Sequence, residues 1–235
     1  MSTLLPINVE SRAPRQPRAS DRDDAQRQAR IRMVEDQIAA RGVKDSRVLA
    51  AMRAVPRHRF VPPDQADAAY QDRPLPIGFG QTISQPYIVA FMTEALQLSP
   101  SHRVLEVGTG SGYQAAVLAE IVKEVDTIEI VPGLADRSRK LLSELGYANV
   151  RVVTGDGYAG LPQDAPFDRI IVTAAPDHVP QPLVDQLAVG GRMIIPVGGG
   201  WRQQLQVLTK TADGVAAEPT LDVLFVPLTR SDRRD

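Results

Sequence analysis

The sequence predicts an α/β fold with a mostly parallel sheet, an N-terminal helical cap and an antiparallel C-terminal hairpin. Five short β-branched runs lie between residues 103 and 198, and helical segments separate them. This alternation is typical of βαβ units and parallel sheets. Two further apolar runs follow with only a turn around Asp213–Gly214 between them, which predicts a hairpin. The segment before the first strand has helical spacing instead.

Composition and charge favour one globular domain with no nucleic-acid or membrane partner. The chain has 235 residues, is 43% hydrophobic and can bury one sizeable core. Its 27 Lys and Arg against 28 Asp and Glu leave a net charge of -1. It has no cysteine, which excludes disulfides and thiolate chemistry and is consistent with a reducing compartment. No basic start of a secretory signal is present. We therefore expect a cytoplasmic protein, with a monomer as the default.

The first 25 residues are predicted to form a disordered tail. The segment from Glu10 to Arg30 is rich in arginine and acids and almost free of apolar residues, so it cannot bury enough surface to offset its ordering entropy. A tail that binds nucleic acid is the alternative, which the interspersed acids disfavour. Residues 26–235 are expected to form a single domain, with the helical cap at 26–75, a loop and helix at 76–98 and the α/β core at 99–235.

The cap is expected to contain three helices. Apolar residues recur at helical spacing over Ala25–Ala40, and Gly42 ends that helix. Asp45 or Ser46 caps a second helix that ends before Pro56. A short third helix is predicted in the DQADAAY stretch, because two prolines precede it.

After the cap we expect one helix, then five strands separated by helical segments, and then the two strands of the hairpin. The helix covers Gln85–Leu98, and its apolar face comprises Tyr87, Ala90, Phe91, Ala95 and Leu98. The five parallel strands are predicted at residues 103–108, 124–130, 150–155, 169–174 and 192–198. The hairpin strands are QLQVLTKT and LDVLFVPLT, at 204–211 and 221–229. They are expected to finish one edge of the sheet.

A glycine-rich turn follows the first strand of the series, in the stretch VLEVGTGSGYQAAVLA. Gly108, Gly110 and Gly112 let the backbone approach a ligand closely as the chain enters a helix. The spacing is GxGxG rather than the GxGxxG of dinucleotide-binding folds, and Glu106 lies two residues before the first glycine. A carboxylate there would repel a pyrophosphate. S-adenosylmethionine, which carries an ammonium and a sulfonium but no phosphate, fits better.

Two more acids follow the next two strands. Glu129 ends the second strand, where an acid can accept hydrogen bonds from both ribose hydroxyls, and Asp156 follows the third in TGDGY and could accept from an adenine amine. For either acid alone, a solvated turn or a helix cap is an equal alternative. Three acids at the carboxyl ends of successive strands favour a ligand crevice.

Five segments together resemble the protein-L-isoaspartate O-methyltransferase family: VLEVGTGSGYQAAVLA, GQTISQPYIVA, TGDGY, FDRIIVTAA and FVPLT. The resemblance runs from about Ile31 to Thr229, and the PIGFGQTISQP segment is its most specific part. It implies a Rossmann-like fold and methyl transfer from S-adenosylmethionine to the free carboxylate of L-isoaspartyl residues in damaged peptides and proteins. The methyl ester then collapses to a succinimide that reopens partly as normal aspartate, so the chemistry is repair.

The resemblance also implies roles for particular residues. The family's active-site serine matches Ser84, and its substrate contacts match Thr82, Ser84 and Thr229, the last near the end of FVPLT. Its cofactor contacts match Gln81, Thr82, Ile83, Ser84, Glu106, Gly108, Thr109, Gly110, Glu129, Asp156 and Gly157. The tail before about Ala25 is longer than the family core requires, and Tyr87 is given no role.

The chemistry explains why the stretch GFGQTISQPY contains no acid, histidine or metal ligand. A carboxylate with a pKa near 4 is already ionised at pH 7, so its methylation needs no general base. Ser84 and Thr82 can then act as a carboxylate clamp, assisted by the start of the next helix. An ordinary helix N-cap is the alternative role for Ser84, and the two roles are compatible.

Three rival functions stay open at this point. The first is a methyltransferase that acts on RNA or a small metabolite, disfavoured by the neutral charge and the lack of a basic or aromatic docking stretch. The second is a non-catalytic sensor of S-adenosylmethionine. The third is a nicotinamide dehydrogenase, which the glycine spacing disfavours. His58, His102 and His178 are given no catalytic role and are not spaced as metal ligands.

Overall fold

The computed structural model of the protein describes residues 19–200 and 202–230. The helices are α1 (Ala19–Arg32), α2 (Ser46–Ala54), α3 (Pro86–Ala95), α4 (Tyr113–Ala119), α5 (Pro132–Glu144) and α6 (Gln181–Gln186). The strands are β1 (Leu75–Gly78), β2 (Gln81–Ile83), β3 (Arg103–Val107), β4 (Glu124–Glu129), β5 (Val150–Thr154), β6 (Phe167–Val172), β7 (Leu187–Gly199), β8 (Arg202–Thr211) and β9 (Gly214–Val223). Short π- and 3₁₀-helical segments lie at Met33–Ile38, Ala39–Arg41, Arg57–Phe60 and Pro63–Ala68.

The predicted α/β architecture is confirmed. The main sheet has seven strands in the order β5-β4-β3-β6-β7-β8-β9, and β1 pairs with β2 in a separate antiparallel hairpin. Pairs among β3 to β7 are parallel, and β8 and β9 are added antiparallel at one edge. The strand order reverses at β3, whose neighbours are β4 and β6. In sheets of this kind, ligands bind outside the carboxyl ends of the strands at such a reversal.

Both faces of the sheet are covered, because successive side chains of a strand point to opposite faces. Val104 and Ile171 pack in a core that also contains the cap and α3 to α5. Their neighbours Leu105 and Ile170 pack in a second core with Leu183 of α6. The sheet is therefore the middle layer of three.

The cap forms largely as its spacing predicts. Gly42 ends the first helical segment with a φ of 100°, a left-handed conformation that glycine adopts at low cost. The Asp45 carboxylate accepts hydrogen bonds from the first backbone N–H groups of α2. Helix α1 begins at Ala19, earlier than the predicted Ala25, because a polar segment without apolar residues gives no periodic signal even where it is helical. Residues 1–18 of the predicted tail lie outside the described residues.

The predicted buried face of α3 is partly wrong. The buried side chains are Pro86, Val89, Ala90, Met92 and Thr93. Tyr87, Phe91 and Ala95 of the predicted face are only partly buried. The Thr93 hydroxyl donates to the Val89 carbonyl and accepts from Gln114, so a polar residue occupies a fully buried position. Hydropathy alone cannot identify such a site.

The second hairpin strand is also misplaced in the prediction. Strand β9 begins directly after the turn, at Gly214, and ends at Val223. Its first part is exposed and consists of small and polar residues, so no alternating pattern marks it. The apolar FVPLT segment has left the sheet by Phe225 and crosses the carboxyl ends of the strands. There the Leu228 N–H donates to the Ala175 carbonyl and the Ala175 N–H donates to the Val226 carbonyl, both at 2.8 Å.

Candidate functional site

A cavity lies at the carboxyl ends of β3, β4 and β6, where the strand order reverses. We call it the strand-end cavity. It is lined by Gln81, Thr82, Val107, Gly108, Gly110, Ile128, Glu129, Ile130, Val131, Gly157, Thr173, Ala174, Val226, Pro227, Leu228 and Thr229. Seven of the predicted site residues are among them: Gln81, Thr82, Gly108, Gly110, Glu129, Gly157 and Thr229. The β1–β2 hairpin and the segment after β9 form the walls that the main sheet does not supply.

The backbone of the glycine-rich turn lines the cavity at Gly108 and Gly110. Gly108 has a φ of 98° and Gly110 a φ of 53°, which glycine adopts without the strain a side chain would add. A Cβ atom at Gly108 would collide with the Thr173 hydroxyl, which donates to the Gly108 carbonyl at 2.6 Å. Both the dihedral angle and the close approach therefore require glycine at this position.

Glu129 is held by the two loops that border the cavity. Its Oε2 accepts from the Gly110 backbone N–H at 2.8 Å, and its Oε1 accepts from the Val131 N–H at 2.9 Å. The side chain is only 6% exposed, and that surface faces the cavity. Each carboxylate oxygen has a further lone pair, so Glu129 can accept two hydroxyl groups from a bound ligand.

Glu106 lies beneath the turn, fully buried, and does not line the cavity. Thr127 donates a hydrogen bond to its Oε2, and Thr109 in turn hydrogen-bonds to Thr127. Its Oε1 has no partner among the described residues. Burial raises the pKa of Glu106 to about 8, and the charge of Glu129 adds to the effect while the Thr127 hydrogen bond opposes it. In the unliganded protein this carboxyl is therefore protonated at neutral pH, and a cationic ligand group bound close to it would favour the ionised form.

The raised pKa of Glu106 makes the stability of the protein pH-dependent. The folded chain keeps the carboxyl proton up to about pH 8, whereas the unfolded chain releases it near the ordinary pKa of 4.5. This contribution to stability is therefore present at pH values below the pKa of the unfolded chain. It is lost as the pH rises towards the pKa of the folded chain. Between about pH 5.5 and about pH 8, without ligand, we expect the free energy of unfolding of wild type to fall by roughly 1–3 kcal/mol more than that of Glu106→Gln.

Urea denaturation of both proteins at the two pH values measures this difference. Glu106→Gln is a suitable control because it keeps the shape of the side chain and cannot titrate. Parallel pH profiles for the two proteins would show that Glu106 titrates normally.

Asp156 does not line the cavity, although Gly157 does. Its carboxylate accepts from the Tyr158 backbone N–H at 2.9 Å, which is the turn-capping role that the sequence leaves open. Gly157 is required by space, because a Cβ atom there would lie 2.6 Å from Val107 Cγ1. A ligand contact by Asp156 stays a prediction. Ile83, also a predicted contact, is buried in the core and lies outside the cavity lining.

A second, wider groove adjoins the cavity. This Ser84 groove has a volume of about 490 Å³ and is lined by Pro74, Thr82, Ser84, Gln85, Ile88, Thr173, Asp222, Val223, Leu224, Phe225 and Val226. It shares Thr82, Thr173 and Val226 with the strand-end cavity. Two ligands, one in each space, would therefore meet at these three residues.

Ser84 is not the N-cap of α3. The cap position is Gln85, whose side chain makes no capping hydrogen bond, and Pro86 follows it without an N–H group. The first available helix N–H, from Tyr87, donates to Asp72 at 3.1 Å. Asp72 therefore occupies the helix terminus that the sequence assigns to the carboxylate clamp. Among the described residues no group hydrogen-bonds to the Ser84 hydroxyl, which is left to the groove.

Sequence reasoning missed Thr173 and the segment 226–228 as parts of the site. A polar residue directly after β6, at the same edge as Glu129, was the available signal for Thr173. The FVPLT segment carried an apolar pattern that is equally typical of a strand. Its place over the cavity depends on the backbone bridge to Ala175.

Neither a metal centre nor a membrane-spanning helix is found among the described residues. Within residues 19–200 and 202–230, no three His, Cys, Asp or Glu side chains lie close enough together to hold a metal ion. No helix in that part of the chain combines the length and the apolar character needed to cross a bilayer. His178 is exposed and pairs with Asp177 outside the strand-end cavity.

A glycine turn, two acids and a parallel sheet arranged in this way define the class of S-adenosylmethionine-dependent methyltransferases. Residues 28–233 match the protein-L-isoaspartate(D-aspartate) O-methyltransferase (PCMT) family. The chain belongs to this family, whose reaction is methyl transfer from S-adenosylmethionine to isoaspartyl residues in protein repair.

Individual relatives agree with this assignment. The protein-L-isoaspartate O-methyltransferase of Gloeobacter violaceus is 61% identical over 199 residues, which cover 84% of this chain and 97% of that protein. The one from a Synechococcus species is 52% identical over 234 residues, covering 97% and 95%. A solved protein-L-isoaspartate O-methyltransferase superimposes with a TM-score of 0.76 at 30% identity, over 86% of this chain and 65% of that one. A Plasmodium falciparum structure in complex with S-adenosyl-L-homocysteine superimposes with a TM-score of 0.74 at 27% identity, over 86% of this chain and 99% of that one.

Proposed function

We propose that this chain methylates the free carboxylate of L-isoaspartyl residues in damaged peptides and proteins, with the cofactor in the strand-end cavity and the substrate in the Ser84 groove. The observation that carries the proposal is the junction of the two spaces at Thr82, Thr173 and Val226. Methyl transfer between two bound molecules requires adjoining sites, because most of the catalytic benefit comes from holding them in line.

The residues around the cavity fit S-adenosylmethionine. Glu129 has lone pairs for the two ribose hydroxyls, and Gly108 and Gly110 place backbone atoms against the ligand. The carboxyl of Glu106, buried next to the turn with one unpartnered oxygen, would be ionised by a nearby ammonium group. When bound, the cofactor supplies a methyl group that its own positive charge activates. The protein therefore has to bind and orient rather than to provide an acid or a base.

The Ser84 groove fits a carboxylate carried by a polypeptide. Ser84 and Thr82 offer two hydroxyl donors, and no described residue occupies them. A hydrogen bond from a hydroxyl to a carboxylate also fixes which oxygen faces the junction. The groove is open along Leu224, which is 65% exposed, so a chain extending on both sides of the isoaspartyl residue can enter.

The proposal includes the setting in which the enzyme works. A balanced net charge of -1 supports protein substrates rather than nucleic acid or an anionic membrane. The absence of cysteine is compatible with a reducing cytoplasm. We take the enzyme to act there as a monomer on isoaspartyl-containing peptides and proteins.

The test uses labelled S-adenosylmethionine and two peptides that differ in a single linkage, isoaspartyl in one and aspartyl in the other. We expect label only in the isoaspartyl peptide and in a base-labile form, as a methyl ester. Equal labelling of both peptides would refute the specificity. If neither is labelled while the protein binds the cofactor, a screen of RNA and small carboxylic acids identifies the actual acceptor.

A further inference from the structure

The turn that carries Ser84 is held from one side by a buried arginine of the helical cap. Arg57 Nη2 donates to the Ser84 carbonyl at 2.7 Å, and its Nε donates to the Ala69 carbonyl at 2.8 Å. The arginine lies 27 residues before Ser84 in the chain. One guanidinium therefore ties the substrate turn to the end of the cap.

Arg57 is an unusual residue for a purely structural task. Its side chain is fully buried, and no carboxylate among the described residues forms an ion pair with it. Burial lowers the pKa of Arg57 to about 10, so the group is still charged at neutral pH. The guanidinium Cζ lies 4.8 Å from the centroid of the Tyr113 ring, which partly offsets the burial of the charge. The guanidinium is planar and rigid, so by donating to the carbonyls of Ala69 and Ser84 it fixes the position of one relative to the other.

A second cap residue holds the turn from the other side. Asp72 Oδ1 accepts from the Tyr87 N–H at 3.1 Å, and its Oδ2 accepts from the Gln85 side chain at 2.7 Å. Arg41 forms an ion pair with the same Asp72 and stacks over the Tyr87 ring at 3.5 Å. Because Asp72 satisfies the start of α3, the Ser84 hydroxyl is not drawn into capping.

We propose that Arg57 and Asp72 are positioning residues that hold the Ser84 hydroxyl in the groove, so the helical cap is part of the substrate-binding machinery. The inference rests on the proposed role of Ser84 in binding the substrate carboxylate. Arg57 fixes the carbonyl of Ser84. Asp72 fixes Gln85 and Tyr87, the residues on either side of Pro86. The hydroxyl between these anchors then has little freedom, which is the condition for precise alignment.

The first test compares Arg57→Lys with the matched control Arg59→Lys. Lysine keeps the charge but cannot donate to both carbonyls from a planar fork. We expect about fivefold or greater loss in kcat/KM for the isoaspartyl peptide with Arg57→Lys, while the Kd for S-adenosylmethionine stays within about twofold. Arg59 is exposed and makes no side-chain hydrogen bond among the described residues, so its variant should match wild type.

A double-mutant cycle with Ser84→Ala separates positioning from general destabilisation. If Arg57 acts through Ser84, Arg57→Lys should cost little further activity once the hydroxyl is gone. Asp72→Ala, with the exposed cap residue Asp67→Ala as its control, provides a second cycle should Arg57→Lys fold poorly. Additive losses in the cycles, or full activity of Ser84→Ala, would overturn the proposal.

Hydrogen exchange gives a readout that needs no activity. Exchange of residues 80–88 should be faster in Arg57→Lys and Asp72→Ala than in wild type, and unchanged in the two controls. Unchanged exchange there in both cap variants would likewise overturn the proposal. A wild-type protein that fails to methylate the isoaspartyl peptide instead refutes the proposed function, and the exchange result then decides separately whether the cap holds the turn.

Discussion

Ser84→Ala is expected to lower kcat/KM for an isoaspartyl peptide by roughly ten- to a hundredfold, the loss of one hydrogen bond of about 1.5–3 kcal/mol to a charged acceptor. The hydroxyl has no partner among the described residues and faces the groove. Its removal therefore leaves no buried group unsatisfied, and the protein should retain its stability. Steady-state kinetics with labelled cofactor measures the effect.

Two comparisons make this result specific. Ser84→Thr keeps a hydroxyl and should recover part of the activity, whereas cofactor affinity should be nearly unchanged in both variants because Ser84 does not line the strand-end cavity. Normal turnover by Ser84→Ala would remove Ser84 from the catalytic assignment. Since Asp72 already caps α3, no helix-capping role would then remain for it.

Glu129→Ala is expected to weaken S-adenosylmethionine binding by about a hundredfold or more, because two hydrogen bonds to a charged acceptor are lost at once. The carboxylate also fastens the Gly110 and Val131 N–H groups, so its loss loosens both loops beside the cavity. Isothermal titration calorimetry gives the dissociation constant directly. At saturating cofactor, turnover should recover more than it does for Ser84→Ala.

Two control variants test whether the loss of cofactor affinity is specific to Glu129. Glu35→Ala removes an exposed acid of the cap and should leave cofactor affinity unchanged. Asp156→Ala should have a smaller effect than Glu129→Ala, because Asp156 caps a turn and lies outside the cavity lining. Equal affinities for wild type and Glu129→Ala would exclude Glu129 from the cofactor site.

Local pattern was sufficient for the parallel strands β3 to β6, the glycine turn and the position of Glu129, but not for β9, whose exposed first part carries no alternating signal. Their signals are short-range. Alternating or continuous apolar runs mark strands, and glycines mark the turn positions where the backbone adopts a positive φ. The carboxyl ends of parallel strands share one edge of the sheet, so residues at those ends could be brought together without knowledge of the packing. Local pattern also limited the cap of α2 to Asp45 or Ser46, and the structure assigns it to Asp45.

Contacts between segments far apart in the chain decided the rest. The sequence by itself determined that Gly108, Gly110 and Glu129 lie together at the strand ends, because the glycine turn and the ends of the strands follow from local spacing. Only the tertiary structure decided that Asp72 rather than Ser84 caps α3, that Arg57 holds the Ser84 carbonyl, and that segment 226–228 closes the cavity. Each of these depends on a hydrogen bond or a backbone bridge between partners that local spacing cannot bring together.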